Sequence, residues 1–184
     1  MAITSRQIDL TVQDYLAKNS NERRRVQPLL NAINVGSNLA TRTNFEGHVT
    51  CCAVLVDSAG RVLHIHHNTL GRWLLPGGHL EHRDPTLEKA ALRELTEETG
   101  IPATAVAATK PFGATPIDID AHRIPANPVR NEPEHWHFDV RYAFRTNGHP
   151  VTLQTSEVNS YRWLPVAEIS STEIRDKLAR LYWQ

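Results

Sequence analysis

Only two cysteines occur among the 184 residues, and because Cys51 and Cys52 are neighbours no disulfide framework can be built from them. They lie in the apolar run Val49-Thr50-Cys51-Cys52-Ala53-Val54-Leu55-Val56, where buried, inert thiols are expected. An excess of charge is also missing: twenty basic residues balance twenty acidic ones. That balance argues against an extended nucleic-acid partner, which calls for a surplus of Lys and Arg. No apolar stretch is long enough to span a bilayer, and the opening MAITSRQIDLTVQDYLAKNSNERRR lacks the apolar centre of a signal peptide. A cytoplasmic chain without a membrane partner is the expectation. Repeats and low-complexity tracts are absent as well.

The chain has 40% hydrophobic and 22% charged residues, the balance of an ordinary globular domain able to bury a core. Ile8, Val12, Tyr15 and Leu16 recur at helical spacing, as do Val26, Leu29, Leu30 and Ile33. Pro28 suits only a first helical turn, which allows the second helix to begin as late as residue 27. These helices form an N-terminal extension, residues 1–44, ahead of a main domain at 45–184. They are expected to cover the sheet, shape the pocket or mediate a homodimer, and the residues do not choose.

Strand-like text follows. Residues 48–56, the turn Asp57-Ser58-Ala59-Gly60 and residues 61–66 read as a hairpin. Pro76-Gly77-Gly78 reads as punctuation without regular structure. Further strands are expected near 104–113, 117–124, 135–146 and 160–164, with a closing amphipathic helix at about 171–181. Strands interleaved with packed helices make the class α/β, or α+β.

Between these strands a helix is predicted from Pro85 to Thr99. Asp84 can cap it, Pro85 fits the first helical position, and Gly100 can stop it in the left-handed region. At about 100° per residue, Ala91, Leu92, Leu95 and Thr99 form one sector, a core face. Glu94, Glu97 and Glu98 occupy a separate arc. Their i,i+3 and i,i+4 spacings repel by a few tenths of a kcal/mol each. They also crowd towards the helix C-terminus, where the dipole disfavours anions. A helix selected for stability alone would avoid this arrangement. A hard divalent cation, Mg2+ or Mn2+, resolves the conflict, because such ions take a few carboxylates and leave positions for water and phosphate.

The segment Gly78-His79-Leu80-Glu81-His82-Arg83-Asp84 through Arg93-Glu94-Leu95-Thr96-Glu97-Glu98-Thr99-Gly100-Ile101 resembles the Nudix box, G-x5-E-x7-R-E-U-x-E-E-x-G-U with U a bulky aliphatic. The second half matches at every fixed position. Two departures stand out: Asp84 replaces the usual glutamate, and eight residues rather than seven separate it from Arg93. In the family that glutamate supports the arginine, and Glu81 is an alternative partner here. The resemblance implies a Nudix-type α/β/α sandwich with a mixed sheet. It also implies a metal-dependent pyrophosphohydrolase acting on phosphoric anhydrides, cleaving a nucleoside diphosphate derivative or related organic diphosphate. On that likeness Glu94 and Glu98 are the principal metal ligands, Glu97 a third ligand or water-orienting group, and Arg93 part of the catalytic set. Backbone at Gly78 approaches the metal. The general base would be a box glutamate or a carboxylate from a loop outside the box; Glu157 is one candidate, with an ordinary surface glutamate as its other reading. The alternatives are a Nudix-fold binding or regulatory module without turnover, and an isoprenoid diphosphate isomerase, whose chemistry needs a cysteine acid at the site.

A second cluster lies in 118–144. Trp136, Phe138, Val140, Tyr142 and Phe144 alternate with His135, His137, Asp139 and Arg141. Asp118, Asp120 and His122 alternate likewise, and the two runs could pair across the Pro-rich loop 125–134. One reading is a substrate-handling wall or a second metal site. The other is the solvated side of a half-buried hairpin, with charges paired across strands. Trp73 is a candidate for stacking a nucleobase. Trp136 and Trp163 are assigned to the core, and His79 could meet phosphate.

Overall fold

A computed structural model describes residues 2–181, a mixed α+β fold with an eight-stranded sheet and four α-helices among the described residues. The helices are α1 (Ser5–Lys18), α2 (Gln27–Asn34), α3 (Leu87–Thr99) and α4 (Thr172–Ala179). The strands are β1 (Gly47–Val56), β2 (Arg61–His67), β3 (Arg72–Leu74), β4 (Gly77–His79), β5 (Val106–Ala108), β6 (Asp118–Ile124), β7 (His135–Thr146) and β8 (Val158–Pro165). The principal path runs β3-β2-β1-β7-β5, with β4 paired to β1, β6 to β7 and β8 to β2. The expected hairpin is present: β1 and β2 pair antiparallel from Val56 opposite Val62, and Gly60 turns at φ 74°.

The chain divides into two compact units. The first comprises Met1–Cys51, Gly78–Ala90 and Ile119–Val140. Within it, α1 starts in a capping box: Thr4 accepts from the backbone N–H of Gln7, whose side chain accepts from that of Thr4. Ile8, Val12, Tyr15 and Leu16 fall at i, i+4, i+7 and i+8 and are all buried, each contributing about 1.5–3 kcal/mol. The Tyr15 hydroxyl hydrogen-bonds Glu22, which Arg25 grips at 2.7 Å. A single Val12→Asp change would put an unpaired charge into this apolar stripe.

The second unit comprises Cys52–Gly77, Ala91–Asp118 and Arg141–Gln184. Val54, Val56, Val62, Ile117, Ala143, Ile169, Ile174 and Leu178 make a buried cluster within it. The Ser171 hydroxyl caps α4 at the Ile174 N–H, turning Ile174 and Leu178 into that cluster. Asp118 is fully buried and accepts from Arg141 Nη1 at 2.8 Å.

Several expectations are corrected. Helix α3 begins at Leu87, not Pro85. The Thr86 hydroxyl accepts from the Lys89 N–H at 3.2 Å, whereas the Asp84 carboxylate accepts from the Glu81 N–H at 2.7 Å. Thr86 therefore occupies the capping position, and Asp84 closes the preceding loop. Gly77 and Gly78 are not a break but part of the short strand β4, because neither takes a positive φ and both can pair in extended form. The strand expected at 104–113 shrinks to the three residues of β5. A 3-10 turn at Ala103–Ala105 precedes it, and Gly113 at φ 59° follows. Cys51 is buried, but Cys52 is only half-buried. Trp136 and Trp163 are half-buried rather than core residues, and Arg123 lies 4.4 Å over the Trp136 ring.

Candidate active site

The C-terminal half of α3 presents its core face as expected: Ala91, Leu92, Leu95 and Thr99 are buried. Gly100 stops the helix at φ 67°, a conformation other residues reach only at a cost. The last carbonyls would otherwise lack partners. They are taken up by a passing segment, because the Thr152 N–H donates to Thr99 O and the Gln154 N–H to Glu98 O. That docking fixes the helix end and the turn leading to Glu157.

On the remaining arc sit the three glutamates. Glu98 is 2% exposed, the Glu94 side chain 14% and the Glu97 side chain 37%. Carboxylates are almost never buried to this extent unless paired. The Gly77 N–H donates to Glu98 Oε2 at 2.9 Å. Arg93 Nη1 donates to Glu94 Oε1 at 2.9 Å and to Glu97 Oε2 at 2.8 Å, tying two carboxylates together. Burial pushes the Glu94 carboxyl up to about 7; Arg93 pulls against this, and Glu97 and Glu157 add to it. Burial pushes Glu98 up to about 8, opposed by the Gly77 N–H and reinforced by Glu94, Glu157 and Glu97. Both carboxyls are thus held above the ordinary carboxylate range, chiefly by burial, with the neighbouring negative charge adding to it.

That donor set fits a hard divalent cation. Oxygen ligands on one helical face, short of countercharge, would ionise around such an ion and lose the conflict. Glu157 is exposed but feeds the same electrostatic field.

The remaining residues singled out from the sequence fall as follows. Gly78 lies in β4, and Glu81 is held by Arg83 at 2.7 Å. Trp73 stands in β3 with the Arg162 guanidinium 4.2 Å over its ring and His66 at its edge, so one ring face is already covered. Strands β6 and β7 pair as expected. The structure gathers His122, His135, His137 and Asp139, with ring centres 5.9 Å apart for His122–His137 and 5.1 Å for His135–His137. Asp118 is instead bound to Arg141, and Asp120 lies 3.4 Å from both Arg25 and His122. His79 joins the imidazoles, 5.1 Å from His48 and 5.4 Å from His137. His48, which the sequence reading missed, stacks 5.0 Å from His135 and sits 4.6 Å from His137. Burial lowers His79 to about 4 and His137 to about 3, with neighbouring imidazoles reinforcing both shifts. His79 and His137 are thus uncharged at neutral pH, and His79 can approach an anion only as a neutral N–H donor.

A family model described as the NUDIX domain matches residues 47–182. A probable DHNTP pyrophosphohydrolase of Lactococcus lactis subsp. cremoris is 36% identical over 90 residues, 49% of this chain and 49% of that protein. Phosphatase NudJ of Escherichia coli strain K12 is 48% identical over 61 residues, 32% of this chain and 39% of that protein. The chain thus spans about half, or less, of the length of these curated relatives. A NUDIX-family hydrolase from Clostridium perfringens superposes with a TM-score of 0.54 at 21% identity, covering 73% of this chain and 97% of that one. At that identity the likeness shows the fold.

Proposed function

Given that this chain belongs to the NUDIX domain family, we propose that it is a metal-dependent pyrophosphohydrolase that cleaves the diphosphate linkage of a nucleoside diphosphate derivative or related organic diphosphate. The observation that carries this reading is the gathering of three carboxylates on one helical arc, with Glu98 buried and the Glu94 side chain only 14% exposed. The name of the Lactococcus lactis relative supports the reaction class for this chain.

Glu94 and Glu98 would hold Mg2+ or Mn2+, with Glu97 as third ligand or as the group orienting water. The chemistry that ion supplies when bound is neutralisation of charge on the diphosphate oxygens and acidification of water. The protein's own contribution is positional, as is general in phosphoryl transfer. The Gly77 N–H fixes one oxygen of Glu98, leaving the other to ligate. Arg93 holds Glu94 and Glu97 at a common nitrogen, so neither carboxylate swings free into solvent. A proton leaving the nucleophilic water needs a carboxylate nearby to receive it. Glu97, the most exposed of the three, or Glu157 would accept it.

The test is a panel of nucleoside diphosphate derivatives and organic diphosphates assayed with Mg2+ and with Mn2+. Glu98→Gln and Glu97→Gln should each lower kcat by about 100-fold or more, the scale of a lost acid–base or electrostatic group. Full activity in both variants would overturn the assigned roles. Silence across the panel, with diphosphates still binding, would instead favour a module without turnover.

A further inference from the structure

We propose that His48, His135 and His137 form a binding site for one divalent transition-metal ion of the zinc type, held through three imidazole nitrogens. The inference is separate from the carboxylate site, because imidazole suits zinc, nickel and copper whereas carboxylates suit magnesium and manganese.

Three observations carry it. One nitrogen from each ring lies within 4.8 Å of the other two. Zinc holds imidazole nitrogens at about 2.0–2.1 Å, which places tetrahedral partners about 3.3 Å apart. Rotations of the rings about their side-chain bonds close that gap. Second, the rings are pre-oriented. His48 Nδ1 lies 3.1 Å from Asn44 O and His135 Nδ1 lies 2.7 Å from Pro133 O. A carbonyl only accepts, so each Nδ1 carries the hydrogen and each Nε2 presents a lone pair. Anchoring the far nitrogen on a backbone carbonyl is the arrangement by which metal-binding histidines are held. Third, His48 is 2% exposed, and its Nε2 is buried without a hydrogen-bond partner. A buried lone pair with nothing to accept from is costly and calls for an explanation. A metal ion supplies one.

Sheet geometry brings these rings together. His135 and His137 are two residues apart on β7, hence on one face, and β1 brings His48 alongside as its neighbour in the sheet. Three neutral ligands leave a fourth position for water or for His79. A second grouping, His122, His137 and Asp139, shares His137 and also meets the spacing. Its Asp139 already accepts from Thr50 Oγ1 at 2.5 Å, whereas backbone carbonyls anchor two rings of the first set, His48 and His135. The His48 set is therefore the one assigned.

The experiment uses the full chain freed of metal by chelation. Zn2+ alone is titrated by calorimetry, and Co2+ is titrated as a visible-absorption probe. The Glu94→Gln, Glu98→Gln double variant silences the carboxylates. The double variant should bind one equivalent of Zn2+ and wild type at least one, and Co2+ bound to the double variant should give the strong visible bands of a four-coordinate site. His48→Ala and His137→Ala should each weaken Zn2+ by at least about 100-fold, since losing even an outer partner costs about 10–100-fold. His122→Ala should change it by less than threefold. Circular dichroism checks folding, and should His48→Ala fail to fold, His137→Gln at its half-buried position carries the decision. The proposal falls if wild type binds no stoichiometric Zn2+, if binding disappears in the glutamate double variant, or if His122→Ala costs as much as His137→Ala.

Discussion

Replacing Glu98 by glutamine should stabilise the metal-free protein, and the gain should grow with pH. Glutamine keeps the size of the side chain and an oxygen to accept the Gly77 N–H, but it removes a carboxyl that burial has pushed from 4.5 up to about 8. The folded state therefore keeps its proton where the unfolded chain, with an ordinary carboxyl, has lost it. The stability this proton confers is complete below about pH 4.5 and is lost progressively as pH rises to about 8. At about 1.36 kcal/mol per pKa unit the full loss is roughly 5 kcal/mol, of which about 3 kcal/mol has gone by pH 7. Urea unfolding of wild type and Glu98→Gln in chelator should give near-equal midpoints at pH 5. By pH 8.5 the variant should be more stable by a few kcal/mol. Saturating Mg2+ or Mn2+ should close the gap by stabilising wild type alone, through mass action on the folded state. A variant equal to or weaker than wild type at pH 8.5 without metal would refute the reasoning, since it would mean that ionised Glu98 is not paying the burial penalty assigned to it.

Three further changes test how the frame is held. Gly100→Ala puts a side chain at φ 67° with its Cβ 2.9 Å from Thr152 O, and should cost about 1–3 kcal/mol in thermal unfolding; an unchanged Tm would contradict the stop at this position. Gly47→Ala brings a Cβ to 2.8 Å from the Phe138 ring and 2.9 Å from Trp136 Cβ, so urea unfolding should show a loss of about 1–3 kcal/mol from overpacking. Asp118→Ala leaves the Arg141 guanidinium without its fully buried partner and should cost about 3–5 kcal/mol, with no loss arguing that the pair is solvated.

The elements legible in the sequence are those whose signal is local. The apolar stripe of α1, the hairpin of β1 and β2, and the core face of α3 each follow from one period, read within a dozen residues, and each is present. Boundaries were less legible because neighbouring residues compete for the same backbone group. Asp84 and Thr86 both have capping chemistry, and the loop's own need for the Asp84 carboxylate decides between them. Gly77-Gly78 reads as a break because glycine is permissive. Permission is not obligation, and pairing with β1 holds the two residues extended.

The two clusters differ in legibility for the same reason. Glu94, Glu97 and Glu98 share one helix, so the rise and twist of a single element bring them together, and their mutual repulsion could be counted from spacing alone. What spacing could not give is depth: Glu98 is buried with its carboxylate on the Gly77 N–H, from a distant segment, while Glu97 stays exposed beside Arg93 on its own helix. The imidazoles show the opposite case. His135 and His137 were visible as an alternation, yet the ring that makes them a candidate ligand set is His48, 87 residues earlier in the chain. Only the order of strands puts β1 beside β7, and strand order carries no local signature. A lone histidine at the head of an apolar strand has no pattern to mark it. Its Nε2, buried and without a donor, is the first physical sign that it has a task.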